Sequence, residues 1–384
     1  MTKDGVVPQL ETAAKTDNGD NRKLVMAGDF VINSRSDRKG SAGVSPLEGS
    51  VSVISTVLEP RALKGSYVHH LLRSQAFQEE YYRYGSGIVA DLWSTRYSAM
   101  KMISLPAPSA AEQKDIAGFL DKETAKIDAL IGKQEQLIAT LYEDRTATIT
   151  NAVTKGLDPE VEMVEASSPW NPPSPPHWKQ SVQLKRVASV QSGLTLGRPV
   201  EPEAAVVLPY MRVANVQAGT ADLTEVKEVA VDRAEVPKYL LRDGDVLMTE
   251  GGDIDKLGRG CLWQGEIQPC LHQNHVFAVR CSEGLVSRFL VYLLDTSVAR
   301  NYFMLTARKT TNLASTNSTT LGRFVFSLPD VPEQYEIVDF LDARCRKIDA
   351  LIAKAHEVIE TLREYRSALI TDAVTGKIDV RGVA

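Results

Sequence analysis

Lys126-Ile127-Asp128-Ala129-Leu130-Ile131 returns as Lys347-Ile348-Asp349-Ala350-Leu351-Ile352, at an offset of 221 residues. The same offset carries Glu112-Gln113 onto Glu333-Gln334 and Phe119-Leu120-Asp121 onto Phe340-Leu341-Asp342. It also carries Ala152-Val153-Thr154 onto Ala373-Val374-Thr375. A period above 200 residues is far longer than a solenoid unit, so something domain-sized is duplicated.

Each copy reads as one long helix. Apolar residues fall at Ile116, Leu120, Ile127, Leu130, Ile131, Leu137, Ile138, Leu141 and Ile149, and again at Ile337, Leu341, Ile348, Leu351, Ile352, Val358, Ile359, Leu362 and Ile370. Spacings of three, four and seven mark one apolar stripe. It is not a strict heptad, because Gln134 and Ala355 interrupt it. Leu105-Pro106 and Pro108 stop any helix entering from before, and Leu328-Pro329 and Pro332 do the same for the second copy. A continuous helix of about 40 residues spans roughly 60 Å. Such a helix needs a partner, and its near-copy is the obvious one. Antiparallel pairing follows if a compact domain returns the chain between copies; two helices on separate cores are the alternative.

The division expected is therefore a first mixed domain over 1–104, a helix region over 105–158, a Pro-rich linker over 159–179, a second mixed domain over 180–327 and a helix region over 328–384. The stretch Ser167-Ser168-Pro169-Trp170-Asn171-Pro172-Pro173-Ser174-Pro175-Pro176 reads as a semi-rigid spacer. After it, Ser189–Gly193, Pro209–Val213 and Asp245–Met248 read as short strands, and Val286 to Leu294 as a helix. The first domain is a shorter relative: Ala27-Gly28-Asp29-Phe30-Val31-Ile32 matches Asp243-Gly244-Asp245-Val246-Leu247-Met248. Only 27 residues precede Gly28, so that domain is expected to lack opening strands. The fold class is α+β, two mixed α/β domains alternating with two long helices that pair as an antiparallel coiled coil.

This duplicated pattern is similar to the specificity subunit of type I restriction–modification enzymes. The carrying residues are Leu105-Pro106, Glu112-Gln113, Ile116, Phe119-Leu120-Asp121 and Lys126 to Ile131, with the same series from Leu328. The resemblance implies that each mixed domain is a target recognition domain reading half of a bipartite double-stranded DNA sequence. It implies that the helices form a spacer and dock two methyltransferase subunits, and that motor-nuclease subunits join some complexes. The chain itself would then be non-catalytic and need no cofactor. S-adenosylmethionine, and ATP with Mg where a motor joins, would be used by the partners. A shortened subunit that reads half a site or none, and binds methyltransferase subunits or itself, is the alternative.

Composition bounds these readings. The 384 residues carry 44 Lys+Arg against 49 Asp+Glu, a net charge of −5, with 43% hydrophobic residues. A wholly disordered or fibrous chain is excluded. No apolar run approaches a membrane span, the start lacks a signal-peptide core, and four scattered cysteines suit a reducing compartment, so a cytoplasmic location is expected. Averaged charge argues against non-specific nucleic-acid binding. Its distribution reverses the argument: the two mixed domains together hold +3, the helices with the linker −8.

The basic residues cluster in small-residue loops. Asn33, Arg35, Arg38 and Lys39 lie in a Gly/Ser loop after a strand, and Lys256 and Arg259 stand at the matching place in the second domain. Arg308, Lys309 and Asn312 form a third cluster, with Ser315, Thr316 and Asn317 behind it. Arg and Lys pair with phosphate or with guanine in the major groove. Gln273, Asn274 and His275 sit between strand-like runs, and Arg212 and Asn215 follow another strand. Asn and Gln bind adenine with two hydrogen bonds, worth about 1–3 kcal/mol of discrimination. A solvated surface turn is the alternative for each loop.

Enzymatic readings fit poorly. Asn171-Pro172-Pro173-Ser174 lacks the aromatic that an amino-methyltransferase motif requires, and no Gly-x-x-x-x-Gly-Lys-Ser/Thr loop occurs. Ile254 stands where a metal-dependent nuclease would place a carboxylate before Lys256. Cys261, Cys270, His272, His275 and Cys281 have zinc-ligand chemistry but no Cys-x-x-Cys knuckle, and strand alternation would scatter them, so no metal is expected.

Overall fold

The computed structural model describes residues 2, 5–8, 21–87, 93–165, 171–197, 199–252, 257–309 and 314–381. The first part runs β1 (Arg22–Val25), β2 (Phe30–Asn33), β3 (Ala42–Val44), β4 (Gly49–Ser52), β5 (Ser55–Leu58), α1 (Gly65–Leu71), α2 (Gln75–Arg83) and α3 (Tyr97–Met100) into the long helix α4 (Ala110–Lys155). Then follow β6 (Lys179–Gln183), β7 (Ala188–Ser192), β8 (Ala205–Met211), β9 (Lys227–Asp232), α5 (Val236–Tyr239), β10 (Val246–Thr249), β11 (Gly251–Gly252) and β12 (Gly260–Leu262). The chain continues through β13 (Leu271–His272), β14 (Val276–Cys281), α6 (Ser287–Leu294), α7 (Ser297–Thr306), β15 (Arg308–Lys309), β16 (Ala314–Ser315), α8 (Ser318–Gly322) and β17 (Val325–Leu328) to the second long helix, α9 (Val331–Val374). Strands and helices are mixed as expected, and the two long helices have 46 and 44 residues. No helix among the described residues is long and apolar enough to cross a membrane.

Two compact units form, Met1–Leu137 with Ala353–Ala384, and Ile138–Ile352. Each holds part of both long helices, running in opposite directions. In the first, Arg366 meets Asp128 at 2.9 Å and Arg363 meets Glu135 at 3.7 Å. In the second, Arg145 meets Asp349 at 3.4 Å and Arg344 meets Asp144 at 3.1 Å. These exposed or half-exposed pairs set register more than stability, at about 0–1 kcal/mol each. Burial of the seam supplies the energy, at roughly 1.5–3 kcal/mol for each fully buried Ile or Leu.

The seam is narrower and more regular than the sequence stripe. Along α4 the inward positions are Ile127, Ile131, Gln134, Ile138, Leu141 and Arg145; along α9 they are Ile348, Ile352, Ala355, Ile359, Leu362 and Arg366. Spacings of four and three alternate, which is the coiled-coil period. Gln134 and Ala355 therefore belong to the seam instead of interrupting it, and Ala355 is only 3% exposed. Leu130 and Leu351, counted in the stripe from sequence, lie outside it and are 47% and 55% exposed.

Duplication reaches individual hydrogen bonds. In the first unit Gln113 accepts from the Lys64 N–H at 2.7 Å and donates to the Pro108 carbonyl at 2.8 Å. In the second, Gln334 accepts from the Val286 N–H at 2.8 Å and donates to the Pro329 and Gly284 carbonyls at 3.0 Å. One residue type thus ties the entry of α1 or α6 to the start of the long helix. Eight residues on, Asp121 takes the His70 imidazole at 2.7 Å, while Asp342 takes Arg288 at 3.0 Å and the Tyr292 hydroxyl. Ser74 and Thr296 cap α2 and α7 through the N–H groups of Phe77 and Ala299.

Each unit's central sheet starts from the same turn. Gly28 and Gly244 adopt φ of +98° and +86°, conformations that favour glycine. Asp29 and Asp245 then accept from the N–H groups of Met26 and Arg242. The sheets differ in size: β3-β2-β5 in the first unit, β12-β10-β14-β7 in the second. The second unit also carries β13-β8-β9 and β17-β6. Its Pro-rich stretch is packed where described: Ser174 is 0% and Trp178 3% exposed.

Gln334 is fully buried, so Gln334→Ala strands the Val286 N–H and the Gly284 carbonyl. We expect a loss of about 2–3 kcal/mol from this pair of orphaned groups, read from urea unfolding; a change below about 0.5 kcal/mol would contradict the bracing role. A pH effect is expected in the first unit. Burial, then the neighbouring Arg73, pushes the His69 imidazole down to about 4, and burial lowers His70 against the pull of Asp121. The unfolded chain takes up these protons near the ordinary histidine value of 6.5, before the folded unit does. Stability is therefore full above that value and falls as pH drops toward about 4. Thermal unfolding across this range should show the fall, and His69→Gln should flatten it.

Candidate nucleic-acid interface

The loops singled out by composition converge where β10 ends. Beyond Thr249, β11 pairs with β16 and β16 with β15, so that Gly251 and Arg308 flank Ser315 on either side. Below this crossing the Glu250 N–H donates to the His275 carbonyl at 2.9 Å, and the Glu250 carbonyl accepts from the Thr316 N–H at 2.8 Å. The segments around 250, 275, 308 and 315 are thus joined by backbone bonds.

The first unit builds the same crossing after β2. Arg35 and Ser86 flank Ser94, as Gly251 and Arg308 flank Ser315. Ser34 takes the place of Glu250: its N–H donates to the Ile54 carbonyl at 3.2 Å, and its carbonyl accepts from Thr95 at 2.9 Å. The side chains differ. The arginine stands on the first segment in one unit and on the third in the other.

Side chains at the first crossing are open. Arg35, Arg38 and Lys39 are exposed, and Lys39 lies 5.9 Å over the Tyr82 ring. Arg38 is 68% exposed and only 3.8 Å from Asp37. Asn33 ends β2, with its side chain accepting from the Arg35 N–H at 3.0 Å and thereby setting that turn. Sequence reasoning missed Trp93, which is 38% exposed and whose carbonyl accepts from the Ser36 N–H at 2.9 Å. Trp93 stands far along the chain from that basic run, and only the fold brings the two together.

At the second crossing Arg308 is exposed and Lys309 follows it on β15. Gln273 and Asn274 are half-buried, and their N–H groups donate to the Met211 and Leu194 carbonyls at 2.9 Å. His275 is 55% exposed and pairs with Glu250 at 2.7 Å. Glu250, a carboxylate able to accept from a cytosine amino group, was passed over in the sequence. Lys256 and Asn312 lie outside the described residues. Arg259 is half-buried, and its carbonyl accepts from the Thr249 N–H at 3.3 Å.

Two assignments need correction. Asn215 is 3% exposed; its amide donates to the Asp222 and Glu225 carbonyls and its oxygen accepts from Arg212. It braces the loop from within and presents nothing outward. The Arg212 guanidinium is 20% exposed and bound to Glu225 at 3.4 Å, so it closes the same loop. Behind Ser315, Asn317 caps α8 by accepting from the Thr320 N–H at 2.8 Å. Among the cysteines, burial raises the Cys261 and Cys270 thiols to about 12 and Cys281 to about 11. His272 is fully buried and binds the Val276 carbonyl at 2.7 Å. No group of three or more metal-ligating side chains gathers among the described residues.

No protein-family model matches the chain. It is 25% identical over 360 residues to the type I restriction enzyme EcoKI specificity subunit of Escherichia coli K12, covering 91% of this chain and 75% of that protein. It is 23% identical over 361 residues to the StySPI specificity subunit of Salmonella potsdam, covering 91% and 74%. Among solved structures, a chain from a study of assembly and conformational transition in the type I R-M system superposes with a TM-score of 0.65 at 18% identity, over 93% of this chain and 84% of that one. The HsdS subunit of Thermoanaerobacter tengcongensis superposes with a TM-score of 0.51 at 16% identity, over 94% and 84%. In sequence over nine-tenths of its length, and in fold, this chain resembles the specificity subunits of type I restriction enzymes.

Proposed function

We propose that the chain is the non-catalytic DNA-reading subunit of a type I restriction–modification complex. The carrying observation is the crossing built twice, once in each unit, with basic residues on its outer segments. Arg35, Arg38 and Lys39 in one unit, and Arg259, Arg308 and Lys309 in the other, contact phosphate or guanine. Gln273, Asn274 and His275 face base edges beside Glu250. A doubled frame suits a target split into two half-sites, and the names of the similar proteins support this reading.

The helices supply partner docking. Leu130 and Leu351, equivalent at the 221-residue offset, are both exposed outside the seam. Two matching apolar positions suit two copies of one partner, a methyltransferase subunit, which uses S-adenosylmethionine. Motor-nuclease subunits, with ATP and Mg, would join such an assembly. A half-reading variant of the same function is favoured by one observation: among the described residues the first unit's central sheet has three strands against four in the second.

Methylome sequencing with and without the gene tests the reading. Adenine methylation at a split sequence should vanish with the gene, and unchanged methylation would overturn it. Arg308→Ala with Lys309→Ala should weaken binding of a target duplex and reduce the slope of log K against log salt by about 1–2. An unchanged slope would remove both residues from the phosphate contacts. Leu130→Arg with Leu351→Arg should leave thermal unfolding unaltered and abolish co-elution with the methyltransferase subunit; intact co-elution would place docking elsewhere.

A further inference from the structure

In the second unit one carboxylate ties the small helices to the seam. Asp295, the residue before the cap of α7, takes Arg145 of α4 at 2.9 Å and Arg300 at 2.5 Å. Arg145 also meets Asp349, so its guanidinium lies between two carboxylates.

The first unit keeps this frame and reverses the charge. Leu71-Leu72-Arg73-Ser74 aligns with Leu293-Leu294-Asp295-Thr296, and the last residue of each stretch caps the helix that follows. Arg73 therefore stands where Asp295 does. It faces Arg366, which corresponds to Arg145 at the 221-residue offset and is held by Asp128 as Arg145 is by Asp349. The same offset puts Arg363 where the second unit has Tyr142. Arg73, Arg363 and Arg366 line one groove of about 220 Å³ with Ser74, Gln75 and Ser367, and no carboxylate is among its lining residues. The matching groove of the second unit is lined by Tyr142, Glu143, Thr146 and Ser297, with no arginine among its lining residues.

The three guanidiniums have neighbours of their own. Arg73 lies 2.7 Å from the His69 ring, Arg366 meets Asp128 at 2.9 Å, and Arg363 meets Glu360 at 2.8 Å and Glu135 at 3.7 Å. A positive field still reaches inward: after burial, both Arg73 and Arg366 lower the His69 imidazole. Like charges lining one groove repel, and an oxyanion between them turns the repulsion into attraction. Guanidinium forks match phosphate oxygens two at a time. The first turn of α2 borders the same groove, and a helix start favours an anion.

We propose that this groove of the first unit is a phosphate-binding site, in which Arg73, Arg363 and Arg366 clamp one phosphate group. A dianion answers the surplus that a single carboxylate, Asp295, answers in the second unit. The group is a free phosphate or small phosphate ester, or a phosphate of a nucleic-acid backbone; the recognition chemistry is shared. The site lies at the start of α2, whereas the crossing is built from residues beyond its end, about 13 Å along nine residues. The inference therefore stands apart from the DNA-reading proposal.

Calorimetric titration of the full-length protein with inorganic phosphate, at constant ionic strength, should show one saturable site. Arg73→Asp copies the ion pair of the second unit. It should raise the thermal midpoint in phosphate-free buffer and weaken phosphate binding at least tenfold. Arg363→Ala should weaken binding several-fold, and Arg83→Ala, at the other end of α2, should leave it unchanged. A duplex of unrelated sequence added to the titration separates the sources: competition with phosphate assigns the site to a nucleic-acid backbone, and no competition assigns it to a free phosphate, either result supporting the site. Absence of saturable binding, or binding that survives Arg73→Asp, overturns the proposal. Acetate competing as well as phosphate also overturns it, because the groove would then take a carboxylate of an acidic peptide. So does a lower midpoint for Arg73→Asp without phosphate, because a carboxylate of the chain itself would then fill the groove.

Discussion

A long helix with one apolar seam cannot remain unpartnered in water, and among the described residues the seam of matching length is its own repeat. The pairing is antiparallel, and its register is marked by equivalent ion pairs, Asp128 with Arg366 and Asp349 with Arg145. This constraint decides what counts as a unit. The first compact unit joins residues from both ends of the chain, because its share of the seam needs the last turns of α9. Sequence repeats and folded units are therefore different divisions of the same molecule.

Rigidity then passes from helix to loop through a few buried polar groups. Gln113 and Gln334 bind the backbone where α1 and α6 begin, and Asp121 and Asp342 bind side chains on those helices. The two glutamines are buried and so must be satisfied, which fixes each small helix against the long one. The strands above inherit that position. What varies, the identity of the outward side chains, sits at the far end of this chain of contacts.

Much of the frame was legible in the sequence because duplication repeats a signal that periodicity alone would leave ambiguous. The seam's true period was not, because Gln134 and Ala355 were read by polarity and size instead of by position. Strands of two residues such as β11 and β13 carry too little pattern to be read. At the candidate interface the same residue types serve two purposes. An asparagine amide can read adenine or brace a loop, and only burial separates them: Asn215 is enclosed, whereas Asn274 is partly open. Glu250 carries no signal of its own in the sequence, and its pairing with His275 appears only in the fold.

The crossing beneath each candidate reading surface is drawn almost wholly with main-chain atoms. Main-chain bonds do not register which side chain is attached. Serine can replace glutamate at one corner, and arginine can exchange places with serine or glycine at the others, while the hydrogen-bond pattern persists in both units. Folding and recognition are thereby placed under separate selection. Such a surface is free to carry many side-chain combinations at nearly constant stability.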